Sequence, residues 1–226
     1  MSHESPMNRR DPRGIGMTSQ RARDRLAEQL QHMGIVAPEV LELIRNTPRH
    51  LFMDEALSHR AYENSAMPIG HGQTISQPYI VARMTEALLG KGPLDRILEI
   101  GAGSGYQTMI LSQLAKQVYS VERIESLARA LETRLAELGV HNCLVRYGDG
   151  MLGWPEAAPF DGILVAAAPL TVPPALKEQL KVGGRLVIPV GAQGEQRLLR
   201  ITRDRGGYRE ELLDFVCFVP MLEGTI

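Results

Sequence analysis

Cysteine is nearly missing from this chain of 226 residues: the two present, Cys143 and Cys217, each sit inside an apolar run. The expectation is a pair of reduced, buried thiols, which leaves out a disulfide framework and a cysteine metal site. Net charge is scarce as well. The 25 basic and 26 acidic side chains sum to −1, so there is no electrostatic footprint for nucleic acid or an anionic membrane, although a local basic patch is compatible with a neutral total. No run approaches the roughly 18 apolar residues of a membrane span, and the N-terminus lacks the apolar core of a signal peptide. A cytoplasmic protein without membrane or nucleic-acid partners is expected. Internal repeats and low-complexity segments are absent too, and the six histidines are scattered. No Ser-His-Asp set and no metal cluster is evident.

What is present suits one α/β domain: 44% hydrophobic and 23% charged residues over a length that can bury one good core. The centre of the chain is residues 96–122. Ile97, Leu98 and Ile100 form a short apolar run stopped by glycines, as in a strand buried on both faces. Ile110, Leu111 and Leu114 share one helical face, and Val118, Tyr119 and Val121 read as a second strand. The unit is strand–turn–helix–strand, with its strands parallel.

Around it, residues 1–16 are polar and aperiodic and are expected to be a disordered extension; Met17 could be the true start. Residues 17–226 are expected to form the single domain, with N-terminal helices and a substrate loop over 17–92 and an α/β core over 93–226. Thr18 or Ser19 can cap a first helix, and Pro38 opens a second. Residues 67–78 are dense in turn formers and read as a long loop that delivers a helix carrying Ile80, Val81, Met84 and Leu88. After Glu122 helices and strands keep alternating: strands at 143–147, 160–165 and 184–190, then two closing strands at 196–203 and 212–219, expected to be antiparallel. The fold class is α/β: a doubly wound, mainly parallel, seven-stranded sheet with extra N-terminal helices.

In such a sheet ligands bind beyond the carboxyl ends of the strands. Gly101, Gly103 and Gly105 let the backbone turn sharply where a Cβ would intrude, and the first N–H groups of the next helix face the same spot. Glu122 stands 21 residues beyond Gly101, where nucleoside-binding units place a carboxylate for ribose hydroxyls. A dinucleotide fingerprint needs glycine or alanine where Tyr106 stands, which disfavours an NAD-dependent oxidoreductase. Asp149 reads equally as a turn aspartate before Gly150 or as an acceptor for an adenine amino group. Ser76, two residues before Pro78, is by spacing either a helix cap or a site residue.

Several motifs carry a resemblance: Pro68-Ile-Gly-His-Gly-Gln-Thr-Ile-Ser-Gln-Pro78, Leu98-Glu-Ile-Gly-Ala-Gly-Ser-Gly-Tyr106, Gly148-Asp-Gly150 with Gly153-Trp-Pro155, Ala158-Pro-Phe-Asp161, and Gly183 to Gly191. In order and nearly without gaps over about 18–220, the chain resembles the protein-L-isoaspartate O-methyltransferases, a family with a Rossmann-like methyltransferase fold. The resemblance implies methyl transfer from S-adenosyl-L-methionine to the free carboxylate of L-isoaspartyl residues in damaged proteins. The ester then passes through a succinimide towards normal aspartate, and S-adenosyl-L-homocysteine is the other product. No metal is implied, and a monomer acting on isoaspartyl proteins and peptides is expected. Residue by residue, Ser76 would be the active-site residue, with Thr74, Ile75 and Ala166 beside the substrate. Ile75, Gln77, Gly101, Ala102, Gly103, Ser104, Glu122, Arg123, Asp149 and Gly150 would hold the cofactor. Ala102 stands where the family often has threonine or serine, and Ala166 where threonine or glycine is common; both stay small. An already ionised carboxylate nucleophile and an activated sulfonium donor make a strong general base unnecessary. Alignment alone can supply roughly 7–11 kcal/mol. A methyltransferase of another substrate class would share the cofactor half and differ at residues 68–78, and a non-catalytic binding protein would keep the fold without transferring methyl.

Overall fold

The computed structural model describes residues 11–90 and 92–226. Of the expected extension, 1–10 lie outside the described residues. Residues 11–16 are tied down: the Asp11 carbonyl lies 3.2 Å from His50 Nε2, and Arg23 donates to the Pro12 carbonyl.

Two helices lead: α1 (Gln20–His32) and α2 (Pro38–Asn46). Pro38 occupies the first turn of α2, where a missing N–H is harmless. Ser19 flanks α1, but its hydroxyl donates back to the Gly16 carbonyl and caps nothing. Residues 67–75, expected to be loop, form a hairpin of β1 (Met67–Gly70) and β2 (Gln73–Ile75), a two-stranded sheet of its own. Strands of four and three residues are too short to show alternation, and their glycines and proline mask them. Helix α3 (Pro78–Leu88) follows.

The core then alternates: β3 (Leu94–Ile100), α4 (Tyr106–Ser112), β4 (Ala115–Glu122), α5 (Glu125–Glu137), β5 (Cys143–Tyr147), β6 (Phe160–Val165), α6 (Pro174–Glu178), β7 (Leu180–Val190), β8 (Gln196–Asp204) and β9 (Gly207–Val216). The seven-stranded sheet runs β5-β4-β3-β6-β7-β8-β9, parallel up to β7 and antiparallel beyond it. Successive side chains of β3 go to opposite faces, as the two-residue period requires. Ile97 packs with Met84, Leu88 and Leu111 of α3 and α4, while Leu98 packs with Phe160 and Leu176 on the other face. Helices α1 and α2 add a third layer, with Leu26, Leu30, Val40 and Ile44 against Val81 and Ile110. Both cysteines are free. Cys143 is half-buried, its thiol pushed up to about 12 by burial, but Cys217 is exposed, because it follows the edge strand β9, where an apolar pattern has no second sheet to face. Among the described residues no helix is long and apolar enough to cross a membrane.

Candidate active site

Register places the site. Ile100 pairs with Val121 on one side and Val165 on the other, so Gly101, Glu122 and Ala166 leave three adjacent strand ends at one level. Strand order reverses at β3, and the crevice at such a reversal is where open α/β sheets bind ligands. The glycine turn fills its floor. Gly101, Gly103 and Gly105 have φ of 82°, 53° and 85°, a region L side chains avoid. A Cβ added to Gly105 would also lie 2.4 Å from Leu131 Cδ1, so the turn is packed against α5 as well as bent.

One glutamate braces this turn and a second lies behind it. Glu122, 4% exposed, accepts from the Gly103 N–H (2.8 Å) and the Ile124 N–H (3.0 Å), one on each oxygen. Each oxygen keeps a lone pair free. Behind the turn Glu99 is fully buried: its Oε2 accepts from Thr108 Oγ1 at 2.6 Å and from Ser120 Oγ, while Oε1 has no partner among the described residues. Burial raises its pKa to about 7, against the pull of the two hydroxyls, and the charge of Glu122 adds to the rise. Arg134 Nη1 donates to the Ser104 carbonyl at 2.6 Å, pinning the turn from α5.

Above the turn is a cavity of about 280 Å³. Thr74, Ile75 and Ser76 form one wall; Gly101, Ala102, Gly103 and Ser104 the floor; Glu122, Arg123 and Gly150 the far end; Ala166 the remaining side. Two expected site residues stand elsewhere. Gln77 lines a neighbouring groove of about 370 Å³, not this cavity. Asp149 is outside the cavity, and both its carboxylate oxygens are engaged, by the Met151 N–H and the Gly224 N–H at 2.8 Å each. Ser76 lies at the junction of cavity and groove, as do Thr74, Ala166 and Val219. Its hydroxyl makes no hydrogen bond to the described residues, and the cap position of α3 belongs to Gln77 without a side-chain bond.

The chain matches the family model described as Protein-L-isoaspartate(D-aspartate) O-methyltransferase over residues 20–225. It belongs to that family. It is 57% identical over 210 residues to the protein-L-isoaspartate O-methyltransferase of Pseudomonas fluorescens, covering 93% of this chain and all of that one. The Halorhodospira halophila protein of the same name is 55% identical over 220 residues, covering 97% and 100%. A crystal structure of a putative protein-L-isoaspartate O-methyltransferase from Plasmodium falciparum, in complex with S-adenosyl-L-homocysteine, superposes with a TM-score of 0.75. Its identity is 25%, over 88% of this chain and 98% of that one. The family's fold is the doubly wound, S-adenosylmethionine-dependent methyltransferase sheet seen here.

The cavity of this family member suits such a cofactor. The glycine floor leaves room a Cβ would take, Glu122 is a buried fixed acceptor at the far end, and Ile100, Val121 and Ile124 give that end apolar sides. The sequence did not announce the last wall. Val219, Pro220, Met221 and Leu222 close the cavity after β9. Beyond them Gly224 is held by Arg123 Nε and Asp149, and Ile226 exchanges backbone bonds with Arg123 and Glu125. Among the described residues no group of three or more His, Cys, Asp or Glu side chains could hold a metal ion.

Proposed function

We propose that this chain methylates the free carboxylate of L-isoaspartyl residues in damaged proteins and peptides, and that it acts as a cytoplasmic monomer with neither nucleic acid nor membrane as partner. Bound in the cavity, S-adenosyl-L-methionine would supply a methyl group on a positively charged sulfur, already activated for transfer to an oxygen nucleophile. The products are the isoaspartyl methyl ester and S-adenosyl-L-homocysteine; the following backbone nitrogen then attacks the ester carbonyl, expelling methanol and closing a succinimide that water opens partly to normal aspartate.

The observation that carries the reading is the junction. Thr74, Ser76 and Ala166 border both the cavity and the adjoining groove, so an acceptor carboxylate entering by the groove meets the methyl donor at these three residues. Ser76 is our catalytic residue. Its unengaged hydroxyl donates to the acceptor carboxylate and orients one oxygen towards the transfer point; it neither attacks nor takes a proton, because the nucleophile is already ionised. Glu122 accepts from ribose hydroxyls through its free lone pairs, and the Gly101–Ser104 turn meets the amino-acid part. Asp149 acts by holding the turn at Gly150 and the tail at Gly224, which shape the adenine end. Gln77 contributes from the groove side.

The test is methyl transfer from labelled S-adenosylmethionine to an isoaspartyl peptide and its aspartyl twin, by wild type and Ser76→Ala. Transfer to the isoaspartyl peptide alone, weakened in the variant, supports the reading. Cofactor binding without transfer to either peptide refutes it.

A further inference from the structure

The hairpin tip carries a feature that methyl transfer does not use. Gly70, His71 and Gly72 have φ of 88°, 53° and 68°, and His71 is the single non-glycine residue among those described with positive φ. Glycines allow such a turn without strain; a histidine there is uncommon. The side chain that occupies this position reaches helix α5. His71 Nε2 and Ser126 Oγ share a hydrogen bond of 3.0 Å, and Ser126 lies in the first turn of α5, four residues past Glu122.

The two partners adjoin two different lining segments of the cavity. The hairpin runs from the tip straight into Gly72–Ser76, while Glu122, Arg123 and Ile124 lead into α5. The hairpin is bonded to no strand of the large sheet. Its base is anchored by Met67 and Ile75, buried in the N-terminal core, whereas the tip is exposed. Part-way along, Ile69 Cδ1 stands 3.4 Å from where a Cβ on Gly103 would be, so the hairpin rests on the glycine turn. A short two-stranded ribbon, fixed at one end, has little stability of its own, and a contact at its free end decides how firmly it lies down.

We propose that the hairpin is a flap over the nucleoside end of the cavity, and that His71 is a positioning residue whose bond to Ser126 holds it shut. The proposal rests on the cofactor reading of the cavity given above. Closing the latch joins the two segments that touch the cofactor and sets the path of the chain from Gly72 to Ser76. Releasing it frees the cofactor end first, so binding and release of S-adenosylmethionine and S-adenosylhomocysteine change more than the methyl-transfer step.

Three variants separate latch from backbone. His71→Asn keeps a residue that tolerates the left-handed region but is too short to reach Ser126. His71→Gln keeps the reach. Ser126→Ala removes the partner without touching the hairpin. The readouts are calorimetric binding of S-adenosylhomocysteine to the full chain and the KM for S-adenosylmethionine beside kcat. His71→Asn and Ser126→Ala should each weaken binding about three- to tenfold, the size of one hydrogen bond, with KM rising more than kcat falls. The double variant should be no weaker than either single one, and His71→Gln should restore most of the affinity. Wild-type affinity in His71→Asn, additive losses in the double variant, or a His71→Gln as weak as His71→Asn would each overturn the latch. A wild type that binds no S-adenosylhomocysteine would overturn the cofactor reading and the latch together.

Discussion

Glu99 offers a measurement in which the sign and the size both come from the structure. Its side chain is fully buried behind the glycine turn, with one oxygen accepting from two hydroxyls and the other without a partner among the described residues. Folding raises its pKa from an ordinary 4.5 to about 7. Below the lower value the carboxyl is protonated in both states and adds no pH dependence. Between the two the folded chain holds a proton that the unfolded chain has lost, so stability falls as pH rises. Above about 7 the loss is complete, and at about 1.4 kcal/mol per pH unit it amounts to about 3 kcal/mol, a large share of an ordinary domain's stability. Glu99→Gln removes the titration while leaving a carbonyl oxygen to accept from Thr108 and Ser120. Urea unfolding of both proteins at a series of pH values gives the difference curve. The advantage of the glutamine variant should grow by about 3 kcal/mol from about pH 4.5 to about pH 8. A difference that stays flat across that window would show that Glu99 ionises in the fold without penalty, and the reasoning from burial would fail.

Further outcomes follow from the same geometry. Ser76→Ala should lower kcat yet leave the melting temperature unchanged, since the hydroxyl caps no helix; a variant that melts lower while keeping full activity would make Ser76 structural. Glu122→Ala removes the acceptor of two backbone N–H groups and should weaken cofactor binding at least tenfold, about 1.4 kcal/mol or more; unchanged binding by calorimetry would take ribose recognition away from this residue. Gly105→Ala meets both a φ of 85° and a contact at 2.4 Å with Leu131 Cδ1, so it should cost about 1–3 kcal/mol in chemical denaturation. A near-neutral result would mean that α5 gives way easily.

The parts of the molecule that were legible in advance are those where burial imposes a pattern. Strands β3, β4 and β6 are apolar on both faces and are stopped by Gly101, Glu122 and Ala166, so their type, their order in the unit and the level of their ends could all be read. The edges were harder. Strand β9 was expected at 212–219 and lies at Gly207–Val216, because on an exposed edge strand Arg209, Glu210 and Glu211 are as welcome as valine. The hairpin looked like loop because Pro68, Gly70 and Gly72 outweigh any alternation in so few residues. Asp149 was balanced between two readings, and its carboxylate is occupied by backbone donors, one of them Gly224, 75 residues away in sequence, a contact no local pattern encodes. The Val219–Leu222 wall was invisible for the same reason: its position depends on where β9 delivers it, not on a motif.

The cavity is assembled from residues as early as Gly72 and as late as Leu222, so whatever fills it ties together segments from the two ends of the folding problem. Ligand occupancy then becomes a reservoir of fold stability: at a hundred times its dissociation constant a bound molecule adds about 2.7 kcal/mol. The protein's lifetime would track the ratio of its cofactor and spent product to their affinities. Under methyl-donor scarcity a chain that repairs others would be the more exposed to damage itself, with its last residues, pinned to Arg123 and Asp149, among the first to come loose.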